Sequence, residues 1–172
     1  MSISMHELTV RTILKAFEGL SLFLDRAEAD AAKRGYDVGV LLSARLAPDM
    51  LPLTRQVQLA SDSGKSIAAR LSGTELPSFP DTETTLPELR ERIRKTVDFV
   101  AGIDPAKFEG SETRAVEVPR RGSDPLKFDG KDYLIAFGLP NFYFHITTAY
   151  AILRHNGVEL GKRDYMSTPV QM

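Results

Sequence analysis

Asn141, His145 and Thr148, with Ile152, fall on one line of a helix at about 100° per residue, and they are the residues of this chain best placed to do chemistry. An amide and an imidazole four residues apart can present an oxygen and a nitrogen together, to one small polar ligand or to one ion. The stretch that carries them, LPNFYFHITTAYAILRHNG (139–157), is otherwise apolar. Phe142, Ile146, Ala149 and Leu153 flank the line on one side, and Phe144 and Ala151 on the other. A polar stripe between two apolar arcs must face something inside the protein. Pro140 suits a first helical turn and Asn156-Gly157 a left-handed stop, so the stretch is read as a helix. Gln56 falls on the inward arc of a second helix. A buried amide there has to be hydrogen-bonded, either bridging to another helix or helping to build a pocket.

Other candidates carry less. Gly64-Lys65-Ser66 resembles the end of a phosphate loop, but the motif's first glycine would fall at Leu59, inside a helix rather than after a strand. Arg120 and Arg121 are read as a solvated loop and His6 as a first-turn residue at a partly wet helix end. His155 stands ten helical residues from His145, roughly 15 Å along the axis, too far to share a site with it.

The elements that must position these groups follow from periodicity. Ser4 and Glu7 have capping-box spacing, and Val10, Ile13, Leu14, Phe17, Leu20, Phe23, Leu24, Ala27 and Ala31 recur at three and four, predicting a first helix over 5–34 ended by Gly35. A second helix is predicted over 50–72, capped by Asp49 and stopped by Gly73. Leu53, Val57, Ala60, Gly64, Ile67 and Leu71 form its inner face, with Gln58, Asp62 and Lys65 pointing the other way. Residues 74–85 hold two prolines and read as an extended surface crossover. Thr85 with Glu88 makes a second capping box for a third helix over 86–103, whose Glu88/Arg92 and Glu91/Lys95 pairs are read as a solvated face. Alternation then replaces helical periodicity, predicting a β ribbon from 115–118, 126–128 and 133–137, with a hairpin turn at Asp129-Gly130. The stretch 139–157 is the fourth helix, and the tail beyond it is expected to pack partly on the helices and then fray.

Composition sets the bounds. A chain of 172 residues, 42% hydrophobic and 26% charged, is expected to be one globular domain over 1–172 with a substantial core. Its 22 Lys+Arg nearly cancel 23 Asp+Glu, so no global field draws it to nucleic acid or to an anionic membrane. No run approaches the roughly 20 apolar residues of a membrane span, and no leader is evident; the chain is expected to be soluble and cytoplasmic. The absence of cysteine removes disulfides, thiolate metal sites and a thiol nucleophile, and only three histidines remain as nitrogen ligands.

Four amphipathic helices with a long crossover between the second and third give an all-α four-helix bundle carrying a small β ribbon between the third and fourth. The segments PDMLPLTRQVQLASD (48–62), FPDTETTLPELRERI (79–93) and LPNFYFHITTAYAILRHNGVELGKRDY (139–165) resemble an uncharacterised domain-of-unknown-function family within the DinB/YfiT-like superfamily of metalloenzymes. That superfamily is known for a divalent metal held by three histidines. One comes from the second helix, and two come from the fourth in a His-x-x-x-His-Arg pattern ahead of a Leu-Arg-x-x-Gly helix end. Aligning Leu153-Arg154 and Gly157 on that end sets His145 on the second of the paired histidines and Asn141 on the first, while Gln56 is the nearest inward polar residue on the second helix. The resemblance thus implies one histidine of three, with neutral amide oxygens where zinc or nickel prefers imidazole.

Two classes of function follow. One is a metal-dependent enzyme of the thiol transferase, isomerase or hydrolase kind, with zinc or nickel at His145. The other, favoured by the depleted ligand set, is a cofactor-free small-ligand-binding or structural protein in which Asn141, His145, Gln56 and Thr148 meet a small polar ligand. By analogy, and because Tyr143 and Tyr150 look exposed on the far side of the fourth helix, a homodimer is expected.

Overall fold

The computed structural model describes residues 3–166. Its elements in order are α1 (Thr12–Arg34), α2 (Gly39–Ser43), α3 (Leu53–Ser72), α4 (Leu86–Ala101), β1 (Ala115–Arg120), β2 (Ser123–Asp129), the single turn α5 (Gly130–Asp132), α6 (Leu139–His155) and α7 (Lys162–Met166). Wide π-helical turns, Glu7–Arg11 and Tyr133–Gly138, lead into α1 and α6. The long helices pack in a closed circuit, with α1 and α3 each against both α4 and α6. Phe17, Phe23, Leu53, Ile67, Leu89, Phe142 and Ile152 are buried at their centre, where the rings of Phe17 and Phe142 meet edge-on at 5.4 Å. Gly64 allows α1 to approach α3, since a Cβ there would stand 2.9 Å from the Phe17 ring.

The ends form for the expected reasons with one exception. The Thr85 hydroxyl accepts from the Glu88 N–H, and the Glu88 carboxylate accepts from the Thr85 N–H, which fixes the start of α4. Gly35 and Gly73 close α1 and α3 in left-handed conformations. At the end of α6 the Val158 N–H reaches the Leu153 carbonyl and the Gly157 N–H the Arg154 carbonyl, a Schellman closure with Gly157 at φ +90°. The exception is α3. It starts at Leu53 rather than Met50, with Pro52 at its cap and no side-chain cap bond, so Asp49, which is exposed, does not cap it.

Two expectations for the ribbon are corrected. The hairpin turns at Arg121-Gly122, where Arg120 pairs with Ser123 and Gly122 has φ +74°. Asp129-Gly130 instead ends β2, and Gly130 is needed for close packing, because a Cβ there would lie 1.9 Å from the Ser111 carbonyl oxygen. Residues 133–137, expected as a third strand, form the π-helical turn: Tyr133, Leu134 and Gly138 are buried while Ile135 and Ala136 are exposed, a helical spacing that a short, wholly apolar run cannot reveal. The ribbon therefore has two strands, antiparallel.

The largest correction concerns charge. Gln58 and Lys65 are not on a solvent face; they are 2% and 4% exposed. Arg92, assigned above to a solvated face, is 2% exposed. The crossover lies over these residues as a strap. Arg92 donates to Asp62 (2.8 Å), to Glu83 (3.0 Å) and to the Pro80 carbonyl (3.2 Å), and it pairs with Asp81 at 3.0 Å. Gln58 donates to Glu83 at 2.8 Å, Arg55 to Asp81 at 2.6 Å, and the Lys65 ammonium sits 4.2 Å from the Phe79 ring centroid. Two partial burial periods on one helix, one toward the core and one toward the strap, explain why a single inner face is not enough to describe α3.

Tyr143 and Tyr150 are half-buried rather than exposed. The α7 helix packs on α1 and brings Tyr165 against Phe23 and Tyr150, so the chain covers its own aromatics. The expected fraying at the tail's end falls on residues outside those described.

Candidate functional site

The polar stripe of α6 faces α3, and the two helices sort its members into different tasks. Gln56 is buried on α3, and its Nε2 donates to the Leu51 carbonyl at 3.1 Å. That bond turns Oε1 toward His145, 2.9 Å from its Nδ1. An amide oxygen only accepts, so Nδ1 carries the proton, and Nε2 of the neutral ring is left with its lone pair. His145 is half-buried, and burial holds its pKa below the ordinary histidine value, which keeps the ring neutral at pH 7. Phe144 meets the ring edge-on at 5.3 Å. The pair gives a fixed imidazole with one aromatic-nitrogen acceptor.

Thr148 is buried and donates to the Phe144 carbonyl of its own helix at 2.7 Å, so its hydroxyl proton is spent on the backbone. Asn141 is exposed, and its Nδ2 donates to Ser63 Oγ on α3 at 2.8 Å. Gln56 and His145 are thus brought together, Asn141 joins a neighbouring group, and Thr148 points to neither. His155 is exposed at the far end of α6. His6 is partly buried, edge-on to Phe108 at 5.3 Å.

The neighbouring group is one that sequence reasoning missed. Beside Asn141, a cleft of about 190 Å³ opens between α3, β1 and the turn before α6, lined by Asp62, Ser63, Ser66, Arg70, Val118 and Tyr133 among others. The Arg70 guanidinium donates to the Tyr133 hydroxyl at 3.0 Å and lies 5.7 Å from that ring's centroid. Burial raises the pKa of Tyr133 despite the cation beside it, so the phenol is neutral and accepts. The signal was present: Ser63, Ser66 and Arg70, at i, i+3 and i+7, form a polar stripe along α3. It was hidden because the face was judged by its apolar residues.

The three-histidine metal centre implied by the resemblance does not fit these residues. Zinc or nickel at this seam would have one imidazole, an amide oxygen already engaged by that imidazole, and an amide bound to a serine. No carboxylate belongs to the set, and among the described residues no group of three or more His, Asp or Glu side chains is placed to hold a metal ion. Gln56 takes the part of a ring-orienting partner rather than that of a ligand.

Comparison with known proteins agrees with the architecture and is silent on chemistry. Residues 5–166 match the domain of unknown function DUF1993. A crystal structure of a DinB family member protein from Shewanella denitrificans superposes with a TM-score of 0.87 at 41% identity, covering 97% of this chain and 94% of that one. No curated protein matches. No described helix is long and apolar enough to cross a membrane. The match over nearly the whole described length, with a mostly helical fold like that of the DinB family member, places the chain in the DUF1993 family.

Proposed function

We propose that the chain is a four-helix bundle of the DinB/YfiT kind that binds a small polar ligand at the α3–α6 seam without a metal, Asn141 and His145 being its contacts and Gln56 holding His145 in place. The observation that supports this reading is the Leu51–Gln56–His145 chain of hydrogen bonds. It fixes a neutral imidazole with Nε2 as acceptor and, in doing so, uses the amide oxygen that a dication would need. A bound ligand would donate to Nε2 and exchange a second bond with the Asn141 amide. Nothing here requires a reaction, and fold likeness alone does not supply one.

The homodimer remains a proposal by analogy. Its surface is not the Tyr143/Tyr150 side, which α7 covers; the apolar groove between α1 and α4, with Leu14, Leu22 and Val97 on its walls, is the uncovered alternative.

The experiment is a histidine-detected ¹⁵N titration of untagged protein, prepared without chelator, against zinc and against small polar compounds. The reading expects the Nε2 signal of His145 to respond to a hydrogen-bonding ligand while one equivalent of zinc leaves it unchanged. Tight zinc binding at that nitrogen would restore the metalloenzyme reading.

A further inference from the structure

We infer that the cleft beside Asn141 is a site for a small carboxylate bearing a neighbouring hydroxyl, with Arg70 as its anchor; its wall includes Asn141 but neither His145 nor Gln56, so it is a second site that goes beyond the reading of the imidazole pair.

Among the described residues Asp62 is the one carboxylate on the cleft wall, and its Oδ1 already serves Lys65 at 2.9 Å and Arg92 at 2.8 Å. Those two cations offset its charge. Arg70 is the opposite case. Among the described residues it has no carboxylate within ion-pairing distance, and its hydrogen bond to the neutral phenol of Tyr133 uses Nη1 alone. Every other buried or half-buried guanidinium of α3 and α4 has an acidic partner: Arg55 has Asp81, Arg90 has Asp25 and Glu28, and Arg92 has Asp62, Asp81 and Glu83. A planar cation held against an aromatic ring, with its remaining donors unspent, is prepared for a carboxylate.

Hydrogen-bonding capacity gives the rest of the ligand. Ser63 Oγ accepts from Asn141, so its own proton is available to the cleft. Among the described residues the Ser66 hydroxyl has no hydrogen-bond partner, and it lines the cleft, so it can also donate. With Asn141 donating through Nδ2, its Oδ1 is left as an acceptor on the same wall. Ser66, one turn from Arg70, can donate to a carboxylate held there, while Ser63 and Asn141, bonded to each other, offer a donor and an acceptor toward α6 for a hydroxyl on the next carbon. Ile67, Val118 and Phe137 close the remaining wall with apolar surface, which suits a short hydrocarbon remainder. A volume near 190 Å³ admits a ligand of a few heavy atoms and no nucleotide.

The test uses lactate, propionate and inorganic phosphate, each titrated into the ¹⁵N-labelled full chain. Lactate is expected to shift Ser63, Ser66, Arg70 and Asn141 saturably. Propionate, lacking the hydroxyl, should bind several-fold more weakly, and Arg70→Gln should weaken lactate at least tenfold. Ser66→Ala, a smaller change, should weaken it several-fold and decides the matter if Arg70→Gln does not fold. Equal lactate binding in both variants, shifts elsewhere on the surface, or tighter binding of phosphate at the same residues would overturn the assignment. Zinc binding at His145 reports on the reading of the imidazole pair and lactate binding on this cleft, so either can fail alone.

Discussion

Replacing Arg92 by Ala tests whether the strap between α3 and α4 is held by charge. The wild-type guanidinium is 1% exposed and faces carboxylates that are 36% (Asp62), 35% (Asp81) and 13% (Glu83) exposed. Charge-assisted hydrogen bonds of this kind are each worth about 1.5–3 kcal/mol when desolvated. Asp62 and Asp81 can rehydrate once the cation is gone, which cuts their share to surface values of roughly 0–1 kcal/mol. Glu83 cannot rehydrate as fully, and the emptied volume adds a packing loss. The sum is about 3 kcal/mol, at the lower end for breaking a buried pair, equivalent to roughly 6–12 °C in Tm for a chain of this size. Acid sensitivity should change with it. Burial pushes Asp81 and Glu83 up, but hydrogen bonds and charge from Arg55, Arg92 and Gln58 outweigh it and hold both below their ordinary values. Groups lowered in the folded state stabilise it above their unfolded pKa, about pH 4, and lose that contribution as pH falls through the folded value. Thermal melts of wild type and Arg92→Ala from pH 7 to pH 3 should therefore converge in acid. A Tm within about 2 °C of wild type at pH 7 would show that the strap is held by its apolar contacts and that the charge cluster is idle.

The His145–Gln56 pair gives two further expectations. His145→Ala leaves the buried Gln56 oxygen without its donor and should cost about 1–3 kcal/mol by denaturant melts; unchanged stability would mean the bond is not made. Gln56→Glu sets a carboxylate against Nδ1–H and should raise the His145 pKa, which burial holds low in wild type, above the ordinary value near 6.5. Imidazole shifts followed by NMR across pH 5 to 8 read this directly, and a pKa that stays low would remove Gln56 from the site.

Much of this fold was legible because its signals are local and redundant. The capping box at Thr85, the glycine stops at Gly35, Gly73 and Gly157, and the apolar spacing of the long helices each fix an end or a face with chemistry confined to a few residues. The misreadings share one cause. Asp129-Gly130 has hairpin chemistry, yet its glycine answers to the carbonyl of Ser111, which lies ahead of the first strand rather than across the turn. Arg92 and Lys65 have the spacing of a solvated face, and only the strap folding back from 79–83 buries them. Tyr143 and Tyr150 looked bare because their cover, Tyr165, arrives from the tail. In each case the deciding partner is distant in sequence and carries no periodic mark. The site followed the same rule: the i, i+4 geometry of Asn141 and His145 was readable, as was the inward place of Gln56, but the division of the stripe into an imidazole pair and an arginine cleft depends on what α3 sets opposite.

The claim most exposed to a direct measurement is that this seam works without a metal. Elemental analysis of untagged protein purified without chelator, for wild type and His145→Ala side by side, should find zinc, nickel and iron well below one equivalent in both. One equivalent of any of them in wild type, lost in His145→Ala together with an activity, would contradict the account and make the protein a metalloenzyme with a ligand set not recognised in the residues described above.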